Sequence, residues 1–503
     1  MSLSIIHSRV HVGIQAPAVT VEVHLANGLP AFNIVGLPEK AVQESRERVR
    51  GAINNSQFDF PAKRITVNLA PADLPKEGGG FDLPIAIGIL AASGQVGSTT
   101  LDEYEFVGEL ALSGAIRPVR GILPVALGCH DAGKRLICPD RNQDEVSLVS
   151  DLTSYAANHL LAVTAHLNDT EHLPEVQPQA FTADNSETRD LSDIRGQPQA
   201  KRALEIAAAG GHSLLMIGPP GTGKSMLASR LPGILPLLTD EQALQTASIH
   251  SVGGLKHQPG QWRIPPFRAP HHSASPAALV GGGSSPKPGE ISLAHNGVLF
   301  LDELTEFERR TLDFLREPLE NGYITISRVA HQAEYPARFQ LIAAMNPCPC
   351  GYLGDAKRAC GTCTREQIKR YQGKISGPVL DRIDLHVDVP AVPASLLAAP
   401  AGQETRSAEV RERVINARQK QLERNGGANN EMSTRQIEQH CQLKPATLAL
   451  IQQAIDKLGL SARAYHRILK VSRTIADLAG EQEIGEAHVA EAIAYRRLDR
   501  QVN

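Results

Sequence analysis

The densest chemistry in the chain lies at Gly218, Pro219, Pro220, Gly221, Thr222, Gly223, Lys224 and Ser225, which together fit G-x-x-x-x-G-K-[ST]. The glycines let backbone N–H groups approach phosphates, Lys224 can reach a β- or γ-phosphate, and the Ser225 hydroxyl suits Mg2+. An apolar strand pattern precedes the motif and a helical one follows, so the phosphates would meet a helix N-terminus. A second apolar run, VLFL at 298–301, ends in Asp302 and Glu303. One carboxylate there can hold the metal and the other can polarise the attacking water. These two motifs in this order predict binding and hydrolysis of ATP with Mg2+.

Two further positions follow the same logic. Asn346 follows the apolar run 340–344, where a polar side chain can help to place the water, although an Asn before Pro347 is also a common turn former. Arg382 precedes the last apolar run, 385–389. There it is either a surface charge or a finger that serves the nucleotide of a neighbouring subunit. Cys348, Cys350, Cys360 and Cys363 have the spacing C-x-C-x9-C-x2-C and supply four soft ligands, for which tetrahedral Zn2+ is the natural occupant and a structural site the expected role. Unligated thiols in a turn-rich loop are the competing reading.

The elements that must position these groups divide the chain into four parts. Residues 1–165 mix short β-rich runs with helical patterns, 166–190 form a polar connector, 191–395 alternate helices with apolar strands as in a parallel sheet, and 396–503 read as helical. The whole is an α/β protein. Its 503 residues exceed one core, and 42% hydrophobic with 21% charged residues exclude overall disorder. A formal net charge of -3 leaves room only for local binding of polyanions. The longest nearly uncharged apolar stretch, 83–93, is too short to span a bilayer, and 1–14 lacks the features of a signal peptide; a cytoplasmic protein with no membrane partner is expected.

With DIRGQ at 193–197, ISLAHNGVLFLDEL at 291–304, REPLENGYITISR at 316–328, AAMNPCPCG at 343–351 and SGPVLDRID at 376–384, the chain closely resembles the magnesium-chelatase-like AAA+ ATPases, and among them the ComM (YifB) group. The resemblance covers nearly the whole chain. It implies an AAA+ core at 191–395 with a helical lid at 396–503, and a homo-hexameric ring that acts on single-stranded or branched DNA. ComM-type proteins promote branch migration in natural transformation. The same resemblance puts ATP on 218–225, Mg2+ on Ser225 and Asp302, water activation on Glu303, a sensor on Asn346 and the finger on Arg382. It also makes Arg463 the candidate for a second sensor, with Arg467 and Arg473 as alternatives.

The stretches 71–90 and 108–139 are similar to the Lon protease domain, whose Ser–Lys dyad is absent here. Gly80 stands where Lon carries its serine and 121–126 holds no lysine, which implies a Lon-like α/β domain without the protease.

Candidate DNA contacts are Arg263, Arg268, His271, His272 and Lys287 in one stretch, and Arg328, His331 and Arg338 in a hairpin-like second. Positive loops in a channel can follow a phosphate backbone without reading bases. The cations Arg463, Arg467 and Lys470 share a helix face, with solvation, ATP sensing and DNA binding as competing readings. Against the DNA motor stand an ATPase that remodels a partner protein, and a regulatory ATPase that only clamps DNA or a partner.

Overall fold

Alternation of apolar and polar residues along AVTVEVHLA folds Ala18–Ala26 as a half-buried strand, with Val19, Val21, Val23 and Leu25 turned into the core. The computed structural model describes residues 2–37, 40–76, 78–178, 189–256, 259–282, 287–327, 332–355, 360–393, 404–458 and 461–496. The chain forms two units, Met1–Thr182 with Leu244–Trp262, and Ala183–Ala243 with Arg263–Asn503.

In the first unit a seven-stranded sheet runs in the order Ala31–Val35, Arg64–Ala70, Ala18–Ala26, Ser2–Arg9, Tyr104–Phe106, Arg135–Pro139, Ser154–Ala157. Ala18–Ala26 is antiparallel to both of its neighbours, and the remaining pairs are parallel. The almost wholly apolar helix Asp82–Ala92 packs on this sheet. A Cβ on Gly88 would come within 2.5 Å of Val23, so only glycine lets the helix lie this close. Residues 244–262, inside the 191–395 stretch of the sequence, also belong to this unit. Ser251 holds them there: its carbonyl accepts from the Gly121 N–H, its hydroxyl accepts from the Leu123 N–H, and the hydroxyl donates to Glu145.

The second unit is built on a five-stranded sheet ordered Phe267–Arg268, Val298–Leu301, Gln340–Met345, Leu214–Ile217, Leu385–Asp388, parallel throughout. Four of the five strands match apolar runs in the sequence. Phe267–Arg268 is only two residues long and carries no periodic signal. Because Gln340–Met345 lies between Leu214–Ile217 and Val298–Leu301, three adjacent strand ends present the 218–225 loop, Asn346 and the Asp302–Glu303 pair side by side.

Beyond residue 404 the described chain is helical, in Ser407–Asn425, Thr434–His440, Pro445–Leu458, Ala462–Ala479 and Glu486–Ala494. Ser433 caps the second of these through a reciprocal bond with Gln436, and Ser461 caps the fourth. Helix Ala462–Ala479 carries polar groups into the core of the unit. Asp477 accepts from Arg424 at 2.7 Å, from Asn429 at 2.9 Å and from Arg473 at 3.1 Å, while Thr474 meets His212 at 2.8 Å. Asp384 accepts from the Ser213 N–H at 3.1 Å and pairs with Arg467 and His212. Burial opposes its ionisation, but Arg467 and His212 outweigh that and hold the carboxyl well below the usual carboxylate range.

His386 is buried beside this network, and among the described residues neither ring nitrogen has a hydrogen-bond partner. Burial and then the nearby Arg496 push it down from 6.5 to about 3. With the folded value below the unfolded one, stability is complete above the unfolded value and is lost as the solution is acidified toward the folded one. We predict that the thermal transition of the second unit weakens between pH 6.5 and about 4, at up to about 1.4 kcal/mol per pH unit. His386→Leu, which removes both orphaned nitrogens, flattens that slope; melting curves of the two proteins across this range provide the check.

Candidate functional site

The 218–225 loop connects the buried strand Leu214–Ile217 to the helix Lys224–Ala228. Gly221 and Gly223 adopt φ of +77° and +91°, which L side chains rarely tolerate. Gly218 is needed for a different reason, since a Cβ there would lie 2.1 Å from the Val389 carbonyl oxygen. The DIRGQ segment braces the loop from outside. Asp193 pairs with Arg230 at 3.1 Å, and the Gln197 amide donates to the carbonyls of Thr222 and Pro390.

Lys224 is buried and donates to the carbonyls of Gly218 at 2.7 Å and Pro219 at 2.8 Å, with Asn346 Oδ1 at 3.3 Å. Burial lowers its pKa, against the attraction of Asp302 and Glu303. Its ammonium therefore rests on carbonyl dipoles, weaker partners than a phosphate. Ser225 Oγ donates to Asp302 Oδ2 at 2.5 Å, which brings the two proposed Mg2+ ligands together. Lys224, Ser225, Asp302 and Asn346 thus form one constellation, as their spacing in the sequence suggests.

Glu303 takes a different direction from its neighbour. It has a left-handed backbone, φ 51° and ψ 48°, and its N–H donates to Asp302 Oδ1 at 2.9 Å. A non-glycine residue in this region is uncommon and carries backbone strain. Its carboxylate meets His272 Nδ1 at 3.1 Å. Sequence reasoning singled out His272 as a DNA contact and missed this partnership; the signal was only its place in the His271–His272 pair.

The arginines divide. Arg382 is buried, donates to the Pro378 carbonyl at 2.6 Å and pairs with Glu320, so within its own chain it faces none of the 218–225 residues through these bonds. Arg467 donates to the Arg382 carbonyl at 2.9 Å and pairs with Asp384. Arg473 is buried on Asp477 and the carbonyls of Glu481 and Gln482, and Lys470 donates to the Asn430 carbonyl at 2.8 Å. Arg463 is exposed in the first helical turn. The three-cation face is therefore not uniformly solvated.

Among the other basic candidates, Arg263 donates to the Leu238 carbonyl, and Arg268 donates two hydrogen bonds to the Glu290 carboxylate, each at 2.7 Å. Lys287 and Arg338 are exposed. Tyr323–Ser327 and Gln332–Pro336 pair as an antiparallel hairpin. Arg328 and His331 lie outside the described residues.

The four cysteines converge. All four Sγ atoms lie within 4.8 Å of one another, with Cys348–Cys350 at 3.4 Å, Cys350–Cys360 at 3.4 Å and Cys348–Cys360 at 3.8 Å. Four thiolates about 2.3 Å from a tetrahedral ion stand about 3.8 Å apart, so the cluster fits a metal. The Tyr352 N–H and Cys348 favour thiolate at Cys350 and lower it to about 6. The cluster adjoins the 218–225 loop: Gly351, at φ +86°, leaves no room for a Cβ beside Pro220. In the first unit, a Cβ on Gly80 would meet nothing closer than Val107 at 3.6 Å, so the missing serine is a matter of chemistry and not of space.

Comparison with known proteins agrees along the chain. The family described as magnesium chelatase, subunit ChlI, matches residues 190–397. The related descriptions, subunit ChlI of Mg-chelatase and its C-terminal part, match 21–142 and 404–496. Competence protein ComM of Haemophilus influenzae is 55% identical over 99% of this chain and 98% of its own length. The protein YifB of Escherichia coli is 52% identical over 99% and 98%. The magnesium-chelatase 38 kDa subunit of Acidiphilium rubrum is 26% identical over 61% of this chain and 90% of its own.

The Lys224 geometry yields a prediction in two parts. Lys224→Ala abolishes nucleotide binding, read by titration with a fluorescent ATP analogue. Lys224→Met also fails to bind, yet melts no lower than the parent in nucleotide-free buffer, because it removes a buried charge while keeping most of the volume.

Proposed function

Because this chain belongs to the ComM (YifB) group of magnesium-chelatase-like AAA+ ATPases, we propose that it is a ring-forming, ATP-driven motor that moves along DNA and remodels branched intermediates. The family implies an ATPase that uses ATP and Mg2+. The step from ATPase to DNA motor is supported by the 55% identity over nearly the full length to a protein named for competence. Among the described residues no helix is long and apolar enough to cross a membrane.

In this reading the 218–225 backbone and Lys224 bind the phosphates. Ser225 and Asp302 are the residues that would hold Mg2+, whose chemistry is to draw charge from the phosphate oxygens. Glu303 takes the proton of the attacking water and Asn346 orients that water beside Lys224. Arg463 reads the nucleotide from the lid. Arg382 serves the next subunit, so its bonds to Glu320 and Pro378 open or rearrange in the ring. Catalysis by such a finger belongs to the transition state and leaves ground-state binding intact. The exposed Lys287 and Arg338 would lie toward the DNA. The residue ranges 1–165, 191–395 and 396–503 serve as the inactive Lon-like domain, the ATPase core and the lid, joined at 166–190, in a cytoplasmic protein.

The cysteine cluster is a structural zinc site that steadies the turn between Asn346 and Gly351. A motor for remodelling proteins remains the second reading, since relatives of lower identity are magnesium-chelatase subunits. ATPase assays with no DNA, single-stranded, duplex and branched DNA decide between them: stimulation by DNA supports the motor, and turnover indifferent to every DNA form overturns it.

Two further outcomes are expected. Elemental analysis of protein purified without chelators finds about one zinc per chain, lost in the Cys360→Ser, Cys363→Ser double variant, whose turnover also falls. Arg382→Ala and Glu303→Gln each bind ATP and hydrolyse it poorly, by about 10³-fold for a lost finger. Mixed rings recover part of the activity, because a Glu303→Gln subunit can present Arg382 to an Arg382→Ala site; coexpression followed by ATPase assay tests this.

A further inference from the structure

The cysteine cluster meets the nucleotide site along more than one path. Cys348 is buried two residues beyond Asn346, and the turn that follows closes with the Gly351 N–H on the Cys348 carbonyl at 2.9 Å. A Cβ on Gly351 would stand 3.9 Å from Asn346 Cγ and 2.8 Å from Pro220. The second pair of cysteines leads directly into a helix. Thr364, next to Cys363, caps Arg365–Gln372 through a reciprocal bond with Gln367, so the helix starts on the cluster and runs for about 12 Å. At its far end two consecutive side chains reach back to the catalytic turns. Gln372 Nε2 donates to the Pro347 carbonyl at 3.0 Å, one residue from Asn346. The buried hydroxyls of Thr305 and Tyr371 bond at 2.6 Å. Thr305 belongs to the short turn Leu304–Glu306, which starts on Glu303, whose carbonyl accepts from the Glu306 N–H at 2.7 Å. The ion pair of Lys374 with Glu306, 3.6 Å long and half-exposed, adds little.

One helix therefore ties the turn after Asn346 to the turn after Glu303, and its own start is tied to the four thiols. Metal bound by such a loop contributes its binding energy to local folding, and without metal the thiols have only weak S–H bonds to keep them together. We infer that metal at the four cysteines controls turnover through this helix: with the thiolates gathered on one ion, Arg365–Gln372 holds both catalytic turns in one frame, and with the ion removed the frame loosens. The inference rests on the reading of Glu303 and Asn346 as the groups that handle the attacking water and of the cluster as a zinc site. Tyr371 and Gln372 are positioning residues, acting on the reaction only through Thr305 and Pro347. Small movements suffice, since a misplacement of about 1 Å among reacting groups costs about 10²-fold in rate.

The test compares zinc-loaded full-length protein with the same protein stripped by a chelator and returned to Mg2+ buffer. It reads hydrogen exchange at 303–306 and 346–351, kcat, and affinity for a fluorescent ATP analogue. Stripping is expected to raise exchange in both turns and to lower kcat about tenfold or more at unchanged affinity, and Zn2+ alone is expected to reverse both effects. In zinc-loaded protein Tyr371→Phe is expected to retain its zinc, to raise exchange at Leu304–Glu306, and to lower kcat about fivefold, the factor that one buried hydrogen bond is worth. In stripped protein the same substitution is expected to cost nothing further, whereas a merely structural role would lower kcat by the same factor in both forms. Lys374→Ala is expected to match the parent throughout, and a fall there as large as that of Tyr371→Phe overturns the assignment to Tyr371. Unchanged exchange after stripping overturns the coupling, as does an equal fall for Tyr371→Phe in both forms. Looser turns with unchanged kcat overturn the control of turnover and trace the failure to the roles given to Glu303 and Asn346. If the stripped protein does not stay folded, zinc-loaded Tyr371→Phe and Gln372→Ala carry the test, and parent-like kcat and exchange in both overturn the inference.

Discussion

A lysine ammonium buried without a full counter-anion is the constraint around which the second unit is organised. Lys224 gives up bulk water for two carbonyl oxygens and one amide oxygen, and burial weakens its hold on its proton. Carbonyl dipoles offset the charge only in part, so the ammonium must be held where those oxygens converge. That requirement explains Gly218, which must tuck beneath Val389, and the two left-handed glycines that follow. It also explains why the strand ending in Asn346 lies beside the loop, since Asn346 shares the same ammonium.

The acidic side of the site depends on one backbone irregularity. Consecutive residues on an extended strand point to opposite faces, and an extended Asp302–Glu303 pair would leave little choice over where the second carboxylate goes. The left-handed conformation of Glu303 allows Asp302 to face Ser225 while Glu303 turns to His272. Strain at such a residue persists because the flanking strand and the Asp302 bond to the Glu303 N–H over-determine it.

The lid is bound to the sheet by charge as well as by apolar contact. Arg467 reaches from the lid helix to Asp384 and to the carbonyl of Arg382, and His212, just ahead of strand Leu214–Ile217, meets Thr474. Networks of this kind are costly when half-satisfied and rigid when complete. The segment holding Arg382 is therefore bonded directly to helix Ala462–Ala479.

Much of this was legible in the sequence because it is local. The phosphate loop needs eight consecutive residues, the Asp302–Glu303 pair needs the end of an apolar strand, and four cysteines within a short loop can hardly avoid one another. For such features the backbone itself fixes the geometry, so residue type and spacing suffice. Position along a helix could not decide among Arg463, Arg467 and Arg473; Arg463 stays exposed, Arg467 pairs with Asp384 from a distant part of the chain, and Arg473 is buried on Asp477 one turn further along its own helix. No pattern announced that His272 would meet Glu303, or that 244–262 would pack with the first unit, since each depends on chain segments distant in sequence. Sequence determined which chemical groups the chain carries and the local frames that hold them. Folding alone decided which of the charged groups neutralise one another, because electrostatic pairing follows distance in space and burial, and neither is a function of separation along the chain.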